Sequence, residues 1–385
     1  MPEQFANDAA STVASGLNNT TTPVTFTVTT GHGARFPAAG NFRLLVESEI
    51  LLCTARSGDS LTCTRAQEGT TAASHANGVA VTHVLTKAAI ETARLDFTPL
   101  GICEGRLTTE SGVSVSTTDR TAQATLYFTP HNGNRVALYD GSNWKVHAFT
   151  EQSLALSDLT SGKNYDLFLY DNAGTPTLEM SAAWTNDTTR ADALATQDGV
   201  KVKSGALTRR HVGTFRATGA TTTEDSGGGS TTQVGGKRFL WNRFNQEPRP
   251  LAVIDTTNSW SYTTDTWRQA NGAAGNKVEF VVGNEAHVEA LAHGVVFLST
   301  NLARAAKVGV GIDALTPSGI VQGGFLSIVS FDGLYAPIFG SFRGSVGTGY
   351  HALNWIEKGA DGTSTFLGDN GGDGQQTGLV ATIHN

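Results

Sequence analysis

FPAAGNFRLLVESEILLCTARSGDSLTCTRAQEGTTAASHANGVAVTHVL, residues 36 to 85, carries the pattern from which the fold follows. Phe42, Leu44 and Val46 alternate with Asn41, Arg43, Leu45 and Glu47. A second run, Ile50-Leu51-Leu52-Cys53-Thr54, leads into the turn Ser57-Gly58-Asp59-Ser60 and returns through Leu61, Cys63 and Arg65. Successive side chains of an extended strand point to opposite faces of its sheet, so a period of two predicts strands with one buried face. Gly58 accepts positive φ without a steric penalty, which is what a tight hairpin needs at its tip.

The segment that follows is Arg65-Ala66-Gln67-Glu68-Gly69-Thr70, then His75, Gly78, Val79, Val81 and His83. It resembles the T-R-x-Q-E-G-T … H … G-x-x-V signature of small β domains at the N-termini of tailed-bacteriophage tail fibres and tail-tip proteins. The likeness covers roughly residues 17 to 95, and a looser similarity to phage fibre proteins continues through Asn385. It implies a virion structural protein whose N-terminal part is a socket, not a catalyst.

Composition agrees with a β-rich chain. Of 385 residues, 39% are apolar and only 16% charged, with 44 glycines and 52 threonines. β-Branched threonine fits the exposed side of a pleated sheet without adding charge. A disordered chain would show more charge and less hydrophobicity. The length predicts two or three domains. The net charge of −7, with Arg209-Arg210-His211 as the longest basic cluster, argues against a nucleic-acid partner, because phosphate binding needs gathered Lys and Arg. No window approaches the ~18 consecutive apolar residues of a membrane span, and MPEQFANDAA lacks a basic region followed by an apolar run. Neither membrane insertion nor conventional secretion is expected. Cys53, Cys63 and Cys103 cannot build a disulfide framework; Cys53 and Cys63 flank the hairpin turn and are expected as small apolar side chains of a sheet, with a bond between them left open.

Along the chain, residues 1–16 are small and polar apart from Phe5 and read as an arm that orders on a partner. Residues 17–100 form the attachment module, with a strand at Val24-Phe26-Val28 and a linking helix over Thr86–Leu95, where Thr86 caps and Ala89, Ile90 and Ala93 share a face. Residues 101–250 read as a central β-sandwich. Its strands include Ala124-Leu126-Phe128, Arg135–Tyr139, Trp144–His147 and Asn164–Tyr170, set apart by Asn-Gly and Asp-Gly turns. Ala191–Ala195 is expected as one helical turn, and the block from Ser226-Gly227-Gly228-Gly229-Ser230 to Gly235-Gly236 as a long loop. Residues 251–385 carry longer alternating strands: Lys277–Val282, His287–Phe297, Lys307–Ile312, Phe325–Phe331, Tyr350–Glu357 and Leu379–Ile383. These look like a jelly-roll head. The fold class expected is therefore all-β: a small N-terminal β domain, a central β-sandwich and a C-terminal jelly-roll-like β-sandwich. No repeat with a period of 20–50 residues suggests a solenoid or β-helix.

There is no Gly-x-Ser-x-Gly elbow and no alternating α/β pattern behind one. A glycosidase needs two carboxylates facing each other across a cleft, and Glu104, Asp119, Asp166, Glu279 and Glu357 sit in strands or turns where a solvated face is expected. Asp369-Asn370-Gly371-Gly372-Asp373-Gly374 gathers oxygen-rich side chains in a glycine loop, as calcium sites require, but turn formation explains the same residues. His287 and His293 fall on one strand face and read as ordinary polar strand residues rather than a metal pair. Trp260, Tyr262 and Trp267, with Tyr350 and Trp355, suit either core packing or a sugar-stacking groove. No catalytic residue, cofactor or metal is assigned, and no enzyme activity is expected.

The resemblance implies a tail fibre or tail-tip component of a virion assembled in bacterial cytoplasm, held to other virion proteins by its N-terminal module. It also implies a homo-oligomer, a trimer first, and a host-surface glycan as partner if the distal domain reads the receptor. A capsid decoration protein or head fibre is the alternative, and a polysaccharide depolymerase a more remote one.

Overall fold

The computed structural model describes residues 3–15, 17–19, 22–96, 100–229, 234–298, 304–318, 323–327, 334–360, 363–368 and 377–385. The chain is all-β, about 55% strand and 4% helix. It divides into two compact units, Met1–Pro99 and Leu100–Asn385.

The first unit is one antiparallel sheet. Its strands run in the order Ala10–Thr12, Ala80–His83, Phe42–Val46, Glu49–Ser57, Ser60–Thr64, Val24–Thr27. The hairpin turn lies where the sequence places it, with Gly58 at φ +55°. The two outer strands do not stay apart. Val13 bridges Val28, Ala14 N donates to Thr27 O, Thr29 N donates to Thr12 O, and the Thr12 and Thr29 hydroxyls meet at 2.8 Å. The sheet thereby closes on itself as a small barrel, which removes the unpaired edges an open sheet would expose. Phe26, Phe36, Phe42, Leu44, Val46, Leu51, Leu61 and Val81 fill its interior. The segment expected as an arm is thus part of the barrel from Ala9 onward, because Ala9 and Val13 alternate inward and both are buried. The helix is Lys87–Asp96, and the Thr86 hydroxyl accepts the Ala89 N–H as expected of a cap. Ala89 is buried but Ile90 is exposed, so the anticipated apolar face is narrower.

Among the described residues, the four larger sheets of the second unit flank its two larger hydrophobic clusters. Near its start, the strands Gly105–Thr108, Thr125–Pro130 and Gln152–Ala155 oppose a larger sheet. That sheet holds Thr175–Met180, Asn164–Asn172, Ala206–Arg216, Val200–Lys203 and Leu194–Gln197. Leu107, Leu126, Phe128, Leu167, Leu169 and Phe215 pack between them. Leu194–Gln197 is a strand, not the helical turn expected over Ala191–Ala195; it pairs in register with Val200–Lys203 across Asp198-Gly199, and both turn residues take positive φ.

The other two sheets form the jelly-roll-like sandwich. One runs through Gly323–Ser327, Arg304–Ile312, Gly349–Ala360 and Lys277–Val282. The other runs through Pro248–Ile254, Gly378–His384, Ala286–Leu298 and Ser364–Leu367, and Leu334–Val346 adds to Ala286–Leu298. Phe280, Val288, Trp260, Trp355, Phe366 and Ile383 lie in the core between them. The expected strand Phe325–Phe331 is described only over Gly323–Ser327, and residues 328–331 lie outside the described residues.

The expected boundary near residue 250 is crossed by a continuous sheet. Gly235–Arg238 pairs in parallel with Lys277–Val282, bringing Thr223–Gly228 and Arg120–Gln123 onto the edge of the C-terminal sandwich. The described ends of the glycine-rich block, Ser226–Gly228 and Gly235-Gly236, are therefore strand, and residues 230–233 lie outside the described residues. A Cβ on Gly236 would lie 2.1 Å from Gly227 O, and one on Gly228 would lie 2.2 Å from Gly236 N, so glycine here permits a backbone approach that any side chain would block. Asp225 in this hairpin is gripped by Arg238 at 2.9 Å and by Arg249 at 3.1 Å, a buried triad tying the hairpin to the strand Pro248–Ile254, which itself runs through the expected boundary.

Candidate binding sites

The motif that carries the phage resemblance is used structurally. Glu49 is wholly buried, and its carboxylate accepts Arg65 Nε at 2.8 Å, Ala66 N at 3.1 Å, Ala73 N at 3.2 Å and His75 Nε2 at 2.9 Å. Arg65 also donates to the Asn18 and Ala73 carbonyls, and His75 Nδ1 meets Glu47 at 2.7 Å. Burial alone would raise the Glu49 pKa; the donors, Arg65 and His75 foremost, outweigh it and bring it down to about 2. The Gln67 amide donates to Arg65 O, the Thr70 hydroxyl donates to Gln67 O, and Glu68 accepts from Thr86 and from Ala88 N at the start of the helix. These residues lock the irregular segment 65–75 onto the barrel. None of them is positioned as a nucleophile.

Of the carboxylates singled out in the sequence, Asp166 and Glu357 are fully buried rather than solvated. Asp166 accepts Arg190 Nε at 2.8 Å, Thr214 Oγ1 at 2.7 Å, Trp184 Nε1 at 3.0 Å and His211 Nε2 at 3.0 Å. Glu357 accepts Trp260 Nε1 at 2.7 Å and Arg268 Nε at 2.8 Å, and burial raises its pKa against these donors. Strand alternation did not flag them, because each sits on an inward face that a polar network, not an apolar core, completes. Glu104 is bridged to Arg135, exposed Asp119 accepts Gly227 N, and Glu279 is shared by Lys277 and the Tyr350 hydroxyl. The five are dispersed over separate networks. Among the described residues, no group of three His, Cys, Asp or Glu is arranged to hold a metal. The loop Asp369–Gly374 lies outside the described residues.

The aromatics divide. Trp260, Trp355 and Phe366 form a core cluster, with Trp260 stacked on Phe366 at 6.1 Å and edge-on to Trp355 at 6.0 Å. Tyr262 is covered by the Arg268 guanidinium at 3.8 Å, and Trp267 is half-buried. Tyr350 lines a cleft. That cleft, about 550 Å³, is walled by Asp187, Thr188, Gln269, Asp313, Tyr350 and Asn354. Its polar groups are held in place: Arg216 clamps Asp187 at 2.8 Å and covers the Tyr350 ring at 3.8 Å. Asp313 accepts His351 Nδ1 and Ala352 N, both at 2.8 Å. Fixed carboxylates and amides around an amphipathic ring are the components of a polyol-binding cleft. Of these walls the sequence pointed only to Tyr350; Asn354 shares its strand, while Asp187, Gln269 and Asp313 come from segments distant along the chain.

A second surface is apolar. On the outer side of the strands Ala286–Leu298, Leu334–Val346 and Gly378–His384, Leu291 is 40% exposed, Phe339 47%, Tyr335 56% and Val380 53%. His293 stacks on Phe339 and Phe297 on Tyr335, each pair at 4.8 Å. His287 and His293, expected as ordinary strand residues, both lie on this face, and His287 meets Glu289, which also pairs with Arg343. Monomeric proteins seldom leave so many large apolar groups side by side in water.

The three cysteines are free and buried, and Cys53 and Cys63 are direct register partners across their hairpin. Among the described residues, no helix is long and apolar enough to cross a membrane. No family model matches the chain, and no curated protein does. Among solved structures, it is similar to a chain in the structure of infectious bursal disease virus Gx strain, at 10% identity over 70% of this chain and 78% of that one, with a TM-score of 0.18. It is also similar to the mosquito-larvicidal Cry4Aa toxin from Bacillus thuringiensis, at 8% identity over 70% of this chain and 50% of the toxin, with a TM-score of 0.16. Likenesses of that size bear on neither the ancestry nor the activity of this chain.

Proposed function

We propose that this chain is a bacteriophage virion structural protein, a tail fibre or tail-tip component. In this reading the barrel of the first unit docks onto the particle, and the second unit displays a host-surface-binding face. The observation that carries it is the exposed apolar face around Leu291, Phe339, Tyr335 and Val380. Such a face is covered in a homo-oligomer, and a symmetric oligomer multiplies weak surface contacts by making the second contact effectively intramolecular. The cleft of Asp187, Asp313 and Tyr350 suits a host-surface glycan as the thing contacted. No catalytic step belongs to this reading.

Immunogold labelling of intact particles tests it. Gold on the tail supports the proposal; gold on the head replaces it with a decoration protein or head fibre. Light scattering of the purified chain is expected to give a trimer mass, and a stable monomer at micromolar concentration would count against it. Release of reducing ends from host polysaccharide would make the chain a depolymerase instead.

A further inference from the structure

The cleft lined by Asp187, Thr188, Gln269, Asp313, Tyr350 and Asn354 has its side-chain hydrogen-bond donors engaged within the protein. The Gln269 amide donates to Asn276 O at 2.8 Å and to Asn354 Oδ1 at 3.2 Å. The Asn354 amide, in a residue 7% exposed, donates to Gly311 O at 3.3 Å and to Ala314 O at 3.2 Å. The Thr188 hydroxyl donates to Asn186 Oδ1 at 3.2 Å, and the Tyr350 hydroxyl donates to Glu279. Burial, with the Glu279 carboxylate beside it, pushes the Tyr350 pKa up, so the proton stays in that bond. Among the described residues, no side-chain donor of the wall is left over for a ligand, and no Lys, Arg or His belongs to the wall.

The acceptors are open. The Asp187 side chain is 52% exposed and that of Asp313 45%. Asp187 meets Arg216 through Oδ1, and its Oδ2 accepts no hydrogen bond among the described residues. Asp313 accepts Ala352 N through Oδ1 and His351 Nδ1 through Oδ2, whereas a carboxylate offers about four acceptor sites. Both aspartates are anchored on the strand Gly349–Ala360. Tyr350 N donates to Asp187 O at 3.1 Å, and Ala352 N, two residues on and so roughly 7 Å along the strand, donates to Asp313. Arg216 and His351 brace the two carboxylates from outside the lining. The cleft therefore presents fixed, solvent-facing acceptors beside an aromatic ring.

We propose that this cleft, resting on its reading as a glycan site, selects the sugar by its donors: it takes a glycan with free amino or hydroxyl groups, the amino sugar first, and excludes an acidic one. An ammonium or hydroxyl supplies the N–H or O–H that the Asp187 and Asp313 oxygens can accept, and the ammonium adds charge to the bond. The carboxylate of an acidic sugar brings only acceptors, and it meets two like charges with no side-chain donor to separate them.

The test is a calorimetric titration of the whole chain at pH 6 with three oligosaccharides of equal length: a glucosamine trimer, an N-acetylglucosamine trimer and a galacturonate trimer. The amino trimer is expected to bind more tightly than the neutral one, and the acidic one to show no saturable binding. Any other order overturns the proposal and leaves the cleft a glycan site; no saturable binding of any of the three overturns both readings. This series uses the unaltered chain, so its outcome does not depend on a variant folding. Asp187→Asn and Asp313→Asn each keep an oxygen for Arg216 or for Ala352 N. Each is expected to weaken binding of the glucosamine trimer by about three- to tenfold, the worth of a charged hydrogen bond at a half-exposed site. Unchanged binding in both variants overturns the proposal.

Discussion

Arg243 donates its Nε–H to His211 Nδ1 at 2.7 Å, which fixes the imidazole as the neutral tautomer with its remaining proton on Nε2, directed at Asp166 3.0 Å away. A protonated ring would set two donors against each other. Burial is the chief reason the His211 pKa falls to about 4, with the attraction of Asp166 only partly offsetting it.

Acid sensitivity follows with a defined sign. Below its ordinary pKa of 6.5 the unfolded histidine takes a proton that the folded one refuses until about pH 4, so unfolding binds a proton and stability falls as pH drops through that window. The loss is on the order of 3 kcal/mol. Urea denaturation of the chain between pH 7 and pH 4 measures it. His211→Gln is expected to be less stable at pH 7 but flatter over this range; an unchanged slope would refute the assignment.

Glu49 answers to a lower window. Its folded pKa of about 2 lies below its ordinary value of 4.5, so its contribution is complete above pH 4.5 and disappears as pH falls toward 2. Glu49→Gln leaves Arg65 buried opposite a neutral amide, and a loss of about 3 kcal/mol or more is expected at pH 7. Glu47→Gln, whose carboxylate side chain is 56% exposed, is expected to cost well under half of that. Denaturation midpoints of the two variants decide the comparison.

Gly236→Ala places a methyl against the Gly227 carbonyl and is expected to break the hairpin of Thr223–Gly228 with Gly235–Arg238. Gly347→Ala, with open space around the added Cβ, serves as the tolerated control. Thermal melts should separate them by several degrees, in line with a destabilisation of a few kcal/mol.

Leu291→Asp and Phe339→Glu put charge on the outward apolar face, where side chains are 40% and 47% exposed and the folded subunit can accept them. If the proposed homo-oligomer forms through this face, light scattering is expected to show the variants at subunit mass with circular dichroism unchanged. A mass that does not move would place the subunit contact elsewhere.

The β class, the hairpin of the first unit and most C-terminal strands were legible because their alternation is a local signal: Phe42-Leu44-Val46 and Lys277–Val282 state their inward face within six residues. The closing of the barrel was not, since it rests on Val13 meeting Val28 and on threonine hydroxyls rather than on a hydrophobic period. The glycines of 226–236 read as a loop because composition marks flexibility equally in a linker and in a tight strand crossing; only the neighbouring backbone distinguishes them. Asp166 and Glu357 were misjudged for a related reason: whether a carboxylate faces water or a guanidinium depends on partners 24 and 89 residues away. Of the two roles open to the aromatics, core packing holds for Trp260 and Trp355, while Tyr350 lines a cleft.

The bridge from Val13 to Val28 restricts how the first unit can be gripped. A partner cannot extend this sheet by laying down a strand of its own without first prising the seam apart. Whatever holds the module must instead read side chains, turns or the helix over Lys87–Asp96, so a mount built on the barrel can be undone by point substitutions on its surface while the barrel itself stays intact.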